Sequence, residues 1–139
     1  MLNKQLCIVF LGMIMLPLQG MAAEFDGSKP LACAIIEAIE CAPGEACKKG
    51  AAQDLNLPQF LMIDFQKKLI SGKRPNNGGR LEAAIVSQTS QNGSIVLQGV
   101  QKGRGWNLTL VKRTGRMSVA AAGHDEGFVL FGACTPKTK

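Results

Sequence analysis

The sequence predicts an all-β domain of about seven antiparallel strands, pinned by two disulfides and preceded by a cleaved export segment. Three observations carry that expectation. Apolar and polar residues alternate in short runs, turns rich in Gly and Asn separate the runs, and four cysteines follow an N-terminal apolar stretch.

The export segment decides how the rest is read. Lys4 supplies a positive start, residues 6–16 are apolar apart from Gly12, and Gly20-Met21-Ala22 places small residues at −3 and −1 of a peptidase site. Residues 1–22 therefore read as a signal peptide, and residues 23–139 as one domain. The apolar run is too short to cross a bilayer of about 30 Å, and no later segment reaches the ~20 apolar residues of a transmembrane helix. Periplasmic or secreted localisation follows. Cys7 does not mark a lipoprotein, because the apolar run follows it rather than precedes it.

Without the signal the chain carries 15 Lys and Arg against 10 Asp and Glu, so it stays basic. That excess favours an anionic partner such as a lipid headgroup or an acidic polymer. It is scattered, however, from Lys48-Lys49 to Lys137 and Lys139, as solvated loops would scatter it, and a nucleic-acid partner is not expected.

The cysteines of the domain are Cys33, Cys41, Cys47 and Cys134. An even number in an exported chain argues for two disulfides, and four cysteines allow three pairings. In a regular segment Cys33 and Cys41 stand about 26 Å apart as strand or about 12 Å as helix. A disulfide needs Cα atoms within about 7 Å, which removes that pairing. Of the other two we prefer Cys41–Cys47 with Cys33–Cys134, because Ala42-Pro43-Gly44-Glu45 turns the chain back towards Cys41. The long bridge then ties the first strand to the last. The gap between Cys41 and Cys47 is no zinc spacing, and no metal or cofactor is expected.

The strands follow in order. Residues 31–41 are read as strand, although Leu31, Ile35, Ala38 and Ile39 also fit a helical face. Residues 46–58 are read as a loop with one helical turn at 51–55. Residues 60–70 alternate Leu61, Ile63, Phe65 and Leu69 against Met62, Asp64, Gln66 and Lys68, and read as one strand. Residues 71–79 make a second loop, residues 81–87 a weak strand, and Asn92-Gly93 turns the chain into 94–101. Trp106, Leu108 and Leu110 line one face of the next strand. Thr114-Gly115 leads to Met117, Val119 and Ala121, and residues 128–134 close the series. A meander of this kind leaves exposed edges unless it curls, so a closed small barrel or a flattened sandwich is expected.

Catalytic constellations are sparse, and the expectation is a non-enzyme. His124, the single histidine, sits in the hydrophilic turn 123–127, with no marked nucleophile nearby. Glu37, Asp64 and Glu82 are carboxylates within strands that cannot be paired from sequence. Lys102-Gly103-Arg104-Gly105-Trp106 sets basic residues beside an aromatic, so Lys102, Arg104 and Trp106 form the candidate interaction site. The competing reading of Trp106 is a buried core residue capped by a tight turn. Asn92-Gly93-Ser94 and Asn107-Leu108-Thr109 match the glycosylation acceptor pattern.

Cys33, Cys41 and Cys47, then residues 58–65 (Pro-Gln-Phe-Leu-Met-Ile-Asp-Phe), Leu97-Gln98-Gly99, Gly103-Arg104-Gly105-Trp106, Thr114-Gly115 and Phe131-Gly132-Ala133-Cys134 stand in an order that resembles a group of short exported bacterial proteins of unknown function. The resemblance spans nearly the whole mature chain and implies bacterial export; it brings no activity. A first-to-last-strand disulfide on a small barrel is also similar in outline to periplasmic lysozyme and protease inhibitors. The expected function is an exported, non-catalytic binding protein for a protein or small ligand of the envelope. A lipocalin-like carrier of a small apolar ligand and an inhibitor of an envelope hydrolase are the alternatives. Small inward residues such as Ala83 and Ala121 argue instead for a filled interior. The loops 46–58 and 71–79 are the first places to seek contacts.

Overall fold

In the computed structural model, which describes residues 25–76 and 78–137, residues 31–41 form a strand with a bulge in it. This first strand, β1 (Leu31–Cys41), pairs in register with β10 (Gly127–Pro136) from both ends, but the register slips between Ile35 and Glu37. Ile36 is the extra residue and points to solvent. Leu31, Cys33 and Ile35 face inward before the bulge and Ala38 after it. The step of three from Ile35 to Ala38 is what imitates a helical face in the sequence. A bulge shifts the alternation by one, so Glu40 comes to the inner side and Cys41 to the outer.

The remaining strands are β2 (Lys48–Gly50), β3 (Phe60–Asp64), β4 (Leu69–Lys73), β5 (Arg80–Ala84), β6 (Ser87–Gln91), β7 (Ser94–Gln101), β8 (Arg104–Val111) and β9 (Arg116–Ala122). A short 3-10 helix occupies Ala52–Leu55, where the sequence predicts a helical turn. The described residues thus hold ten strands where the sequence predicts about seven. Residues 60–70 are not one strand but the hairpin of β3 and β4. Asp64 Oδ1 accepts the N–H of Lys67 at 2.9 Å, and Lys68 takes φ +51°. The alternation runs through this turn because Phe65 stays buried inside it, which hides the turn; beyond it Ile70, not Leu69, is the buried residue. β2 lies in the stretch read as loop 46–58, and the loop read as 71–79 begins as strand. β6 is exposed on both faces, so it has no apolar pattern to detect.

The strand order is β5-β4-β3-β1-β10-β9-β8-β7-β6, all antiparallel, with β2 added to β1. It is two meanders joined where β1 meets β10. β5 and β6 are the two edges of the sheet, yet only Ile85 and Val86 separate them in the chain. The sheet therefore curls until its edges adjoin. The result is a half-barrel, not the closed barrel or sandwich expected. β5 and β6 follow one another in line, and each is paired to its own neighbour, β4 and β7. One bond bridges the seam, Gln101 Nε2 to Glu82 O, while Ile85 N–H to Lys68 O and Val86 N–H to Gln98 O extend the β4–β5 and β6–β7 ladders, each at 2.8 Å.

Two turns set the register of the second meander. Asn92-Gly93 and Lys102-Gly103 both have two successive positive φ values, 49° and 75°, then 47° and 76°. That is the type I′ geometry whose twist matches a two-residue hairpin. Both predicted disulfides are present. Cys33 and Cys134 are direct partners across β1 and β10, and Cys41 is joined to Cys47. The core fills one end of the half-barrel with Leu31, Ile63, Ile95, Leu97, Leu110 and Met117. Phe25 closes that end by packing over Gly115. The predicted signal segment lies outside the described residues.

Candidate functional site

The other end of the half-barrel is hollow. Its cavity has a volume of about 370 Å³. The walls are Ile35, Leu61, Ile70, Leu81, Ala83, Leu108, Val119, Ala121 and Leu130, from seven strands. Ala83 and Ala121, whose small size argued from sequence for a filled interior, are wall residues, and their short side chains leave space. At about 30 Å³ per water-sized group, the volume holds roughly a dozen such groups. It lies towards the lower end of the ~300–1,000 Å³ range of ligand pockets.

β8 runs from the mouth of this cavity into the core. Strand geometry points every second residue inward, so Arg104, Trp106, Leu108 and Leu110 form one row. Arg104 and Trp106 are half-buried, while Leu108 and Leu110 are at most 1% exposed. The Lys102-Gly103 turn starts the row. The sequence offers Trp106 both as an interaction residue and as a core residue; it faces inward, and its indole borders the cavity.

The mouth is polar. Arg104 pairs through Nη2 with Glu126 Oε1, and its guanidinium stands 6.0 Å from the centre of the Phe128 ring. Arg74 Nη1 donates to the backbone oxygen of Asn56 at 3.1 Å, which ties the second predicted loop to the first. Both loops reach the cavity, through Leu55, Asn56, Leu57 and Pro58 on one side and Arg74 on the other. Glu40, brought inward by the β1 bulge, and Gln101 complete the rim. Two donors here are shielded from water and have no acceptor among the described residues: Arg104 Nε and Trp106 Nε1. A buried donor left without a partner costs about 1–3 kcal/mol.

Of the three residues singled out in the sequence, Arg104 and Trp106 meet in this site. Lys102 does not; it is the first residue of the turn and exposed. Glu126, Phe128, Arg74 and Glu40 were not singled out. Glu126 and Phe128 precede and begin the last strand, and only the β8–β9–β10 pairing sets them beside Arg104. The remaining titratable candidates lie elsewhere. His124 is exposed, 3.8 Å from Asp125 through Nδ1. Glu37 pairs with Lys49 at 2.8 Å and Glu82 with Arg80 at 3.0 Å. The N–H of Lys67 holds the Asp64 carboxyl below its ordinary range.

No protein-family model, curated protein or solved structure matches this chain. Its chemistry is therefore argued from geometry. An apolar chamber with a polar rim can enclose a small molecule. A second concavity, broad and shallow, lies on the outer face of the sheet at the same end, over Val86, Val100, Ala120, Ala122 and Val129. Two disulfides are compatible with an extracytoplasmic compartment, and no helix among the described residues is long and apolar enough to cross a membrane.

Proposed function

We propose that this protein is an exported binding protein that takes a small apolar ligand into the hollow end of its half-barrel. The observation that carries the reading is the cavity of about 370 Å³ walled by aliphatic side chains. The opposite end of the same sheet is filled by buried side chains such as Leu31, Ile63 and Ile95. Both long loops meet at the mouth, where loops on a rigid scaffold commonly make functional contacts. The pairing of all four domain cysteines and the N-terminal segment 1–22 support export to the periplasm or beyond. The resemblance to short exported bacterial proteins agrees with that compartment.

A second reading is a protein-interaction role, such as inhibition of an envelope hydrolase. It is favoured by the outer apolar face, where Val86 is 76% and Val100 66% exposed.

Mass spectrometry on protein recovered from an envelope fraction, native and then denatured without reductant, tests the first reading. The expected covalent mass is residues 23–139 less four hydrogens, with an additional mass under native conditions that is lost on denaturation. Protein that is bare, and whose Trp106 emission is unmoved by small apolar probes, would overturn ligand carriage and favour the outer face.

A further inference from the structure

At the hollow end, the wall beside β1 changes from sheet to strap. β3 pairs with β1 only over Leu31–Ala34, and beyond the bulge residues 48–58 take its place. This strap is β2, the 3-10 helix and the run Leu55-Asn56-Leu57-Pro58 that borders the cavity. We infer that Cys41–Cys47 is a site of thiol–disulfide exchange with a dithiol partner, and that this bridge latches the strap over the cavity. Its control of ligand passage rests on the carrier reading above.

The strap's other fastenings are short. β2 meets β1 through three residues, with Ala38, Ile39 and Glu40 opposite Gly50, Lys49 and Lys48. Lys49 adds an ion pair with Glu37 at 2.8 Å, but both side chains are open to solvent, where such pairs hold weakly. Further along, Ala52 is buried and Arg74 Nη1 holds the Asn56 oxygen. The bridge secures the leading end, one residue before β2. A three-residue edge strand opens locally once such a tie is cut.

The two bridges differ in access. Cys33 and Cys134 are 0% and 8% exposed within the β1–β10 ladder, so no thiol reaches them while the sheet holds. Cys47 is exposed and Cys41 partly so. Exchange needs a thiolate to approach one sulfur, and Cys47 is the open one. As the partner's sulfur bonds to Cys47 Sγ, the bond to Cys41 Sγ breaks, and Cys41 leaves as a thiolate and takes up a proton. The partner's second thiolate then attacks its own sulfur in the mixed disulfide. Cys47 leaves as a thiolate, a form favoured by Lys48 and Lys49 next to it in the chain. Two electrons pass: the partner's dithiol is oxidised to a disulfide, and the Cys41–Cys47 bridge is reduced to two thiols with the protons the partner gives up.

The experiment treats the oxidised mature protein with dithiothreitol in native buffer, blocks new thiols with iodoacetamide and locates the label by fragmentation mass spectrometry. Cys41 and Cys47 are expected to be labelled at least tenfold faster than Cys33 and Cys134. Amide hydrogen exchange is then followed in the singly reduced protein and, without reductant, in a variant carrying Cys41→Ala and Cys47→Ala. In both forms residues 48–58 should exchange at least tenfold faster, while β7 to β10 stay as protected as before, which shows that the variant is folded. The uncharged probe N-phenyl-1-naphthylamine should leave both forms severalfold faster than it leaves the oxidised protein. Opening of both bridges together, or of neither without unfolding, would overturn the exchange site. Unchanged amide exchange across 48–58 would overturn the latch, and unchanged release of bound probe its control of the cavity. A probe that never binds would overturn the carrier reading and leave the latch to stand or fall on the amides of 48–58.

Discussion

The indole of Trp106 lies across the backbone of Gly99, its direct partner on β7. A Cβ at residue 99 would stand 2.5 Å from Trp106 Cζ2 and would also strike the backbone oxygen of Ala84. One missing side chain thus does two things. It lets the indole lie flat along the cavity wall, and it lets β5 close in on β7 at the seam of the half-barrel. Glycine opposite an aromatic is a known device for curving a sheet, the ring covering the backbone that glycine leaves bare.

Gly99→Ala is therefore expected to push the indole into the cavity or open the seam. The cost of such overpacking is about 1–3 kcal/mol. Trp106 is the only tryptophan, so its emission follows both effects. Urea unfolding monitored at that emission should give a lower midpoint and a changed native spectrum. An unaltered spectrum would mean that the ring is not held by Gly99.

Filling the chamber should separate stability from binding. Ala83→Leu adds apolar atoms to a wall position that is only 6% exposed. If the space is vacant in the free protein, the added side chain gains contacts without strain, and thermal stability should hold or rise by up to about 2 kcal/mol. Affinity for small apolar probes should fall at least tenfold. A destabilised protein with unchanged probe binding would place the vacancy elsewhere.

The two disulfides should differ in weight. Cys33 and Cys134 are 101 residues apart, Cys41 and Cys47 only 6. In the chain-entropy model the long loop contributes about 4–5 kcal/mol and the short one about 2–3. Cys33→Ala with Cys134→Ala should thus lower the guanidinium midpoint more than Cys41→Ala with Cys47→Ala. The reverse order would show that the bridge between the sheet's halves is not what limits unfolding.

Acid stability should report the β3–β4 turn. Asp64 accepts the Lys67 N–H, and its carboxyl is held below the ordinary value, chiefly by that bond. Its contribution is complete above the unfolded value of about 3.9 and is lost as pH falls through the lower folded value. In thermal melts from pH 2 to 6, the Asp64→Asn variant should lie below the wild type at the upper end. The gap should close towards pH 2. A constant gap would assign the effect to something other than this carboxylate's charge.

Much of the fold is legible in local sequence. Asn92-Gly93 announces a type I′ turn, and the row Trp106, Leu108 and Leu110 shows its inward face by alternation alone. The favoured cysteine pairing followed from the reach of a regular segment and one turn signal. What escaped has physical reasons too. β6 is a polar edge strand with no buried face to betray it. The β3–β4 turn is masked because its Phe65 remains in the core. The bulge at Ile36 makes a strand look helical.

By itself the sequence determined the inward row of β8, the Asn92-Gly93 hairpin turn and the exclusion of a Cys33–Cys41 bridge, because each depends on residues close in the chain or on simple reach. Only the tertiary structure decided where Ala83 and Ala121 leave a space, that Glu126 and Phe128 meet Arg104, and that Arg104 and Trp106 each keep an unused donor. A cavity is the difference between the volume a curled sheet encloses and the side chains sent into it from seven strands. No single stretch of chain carries that difference.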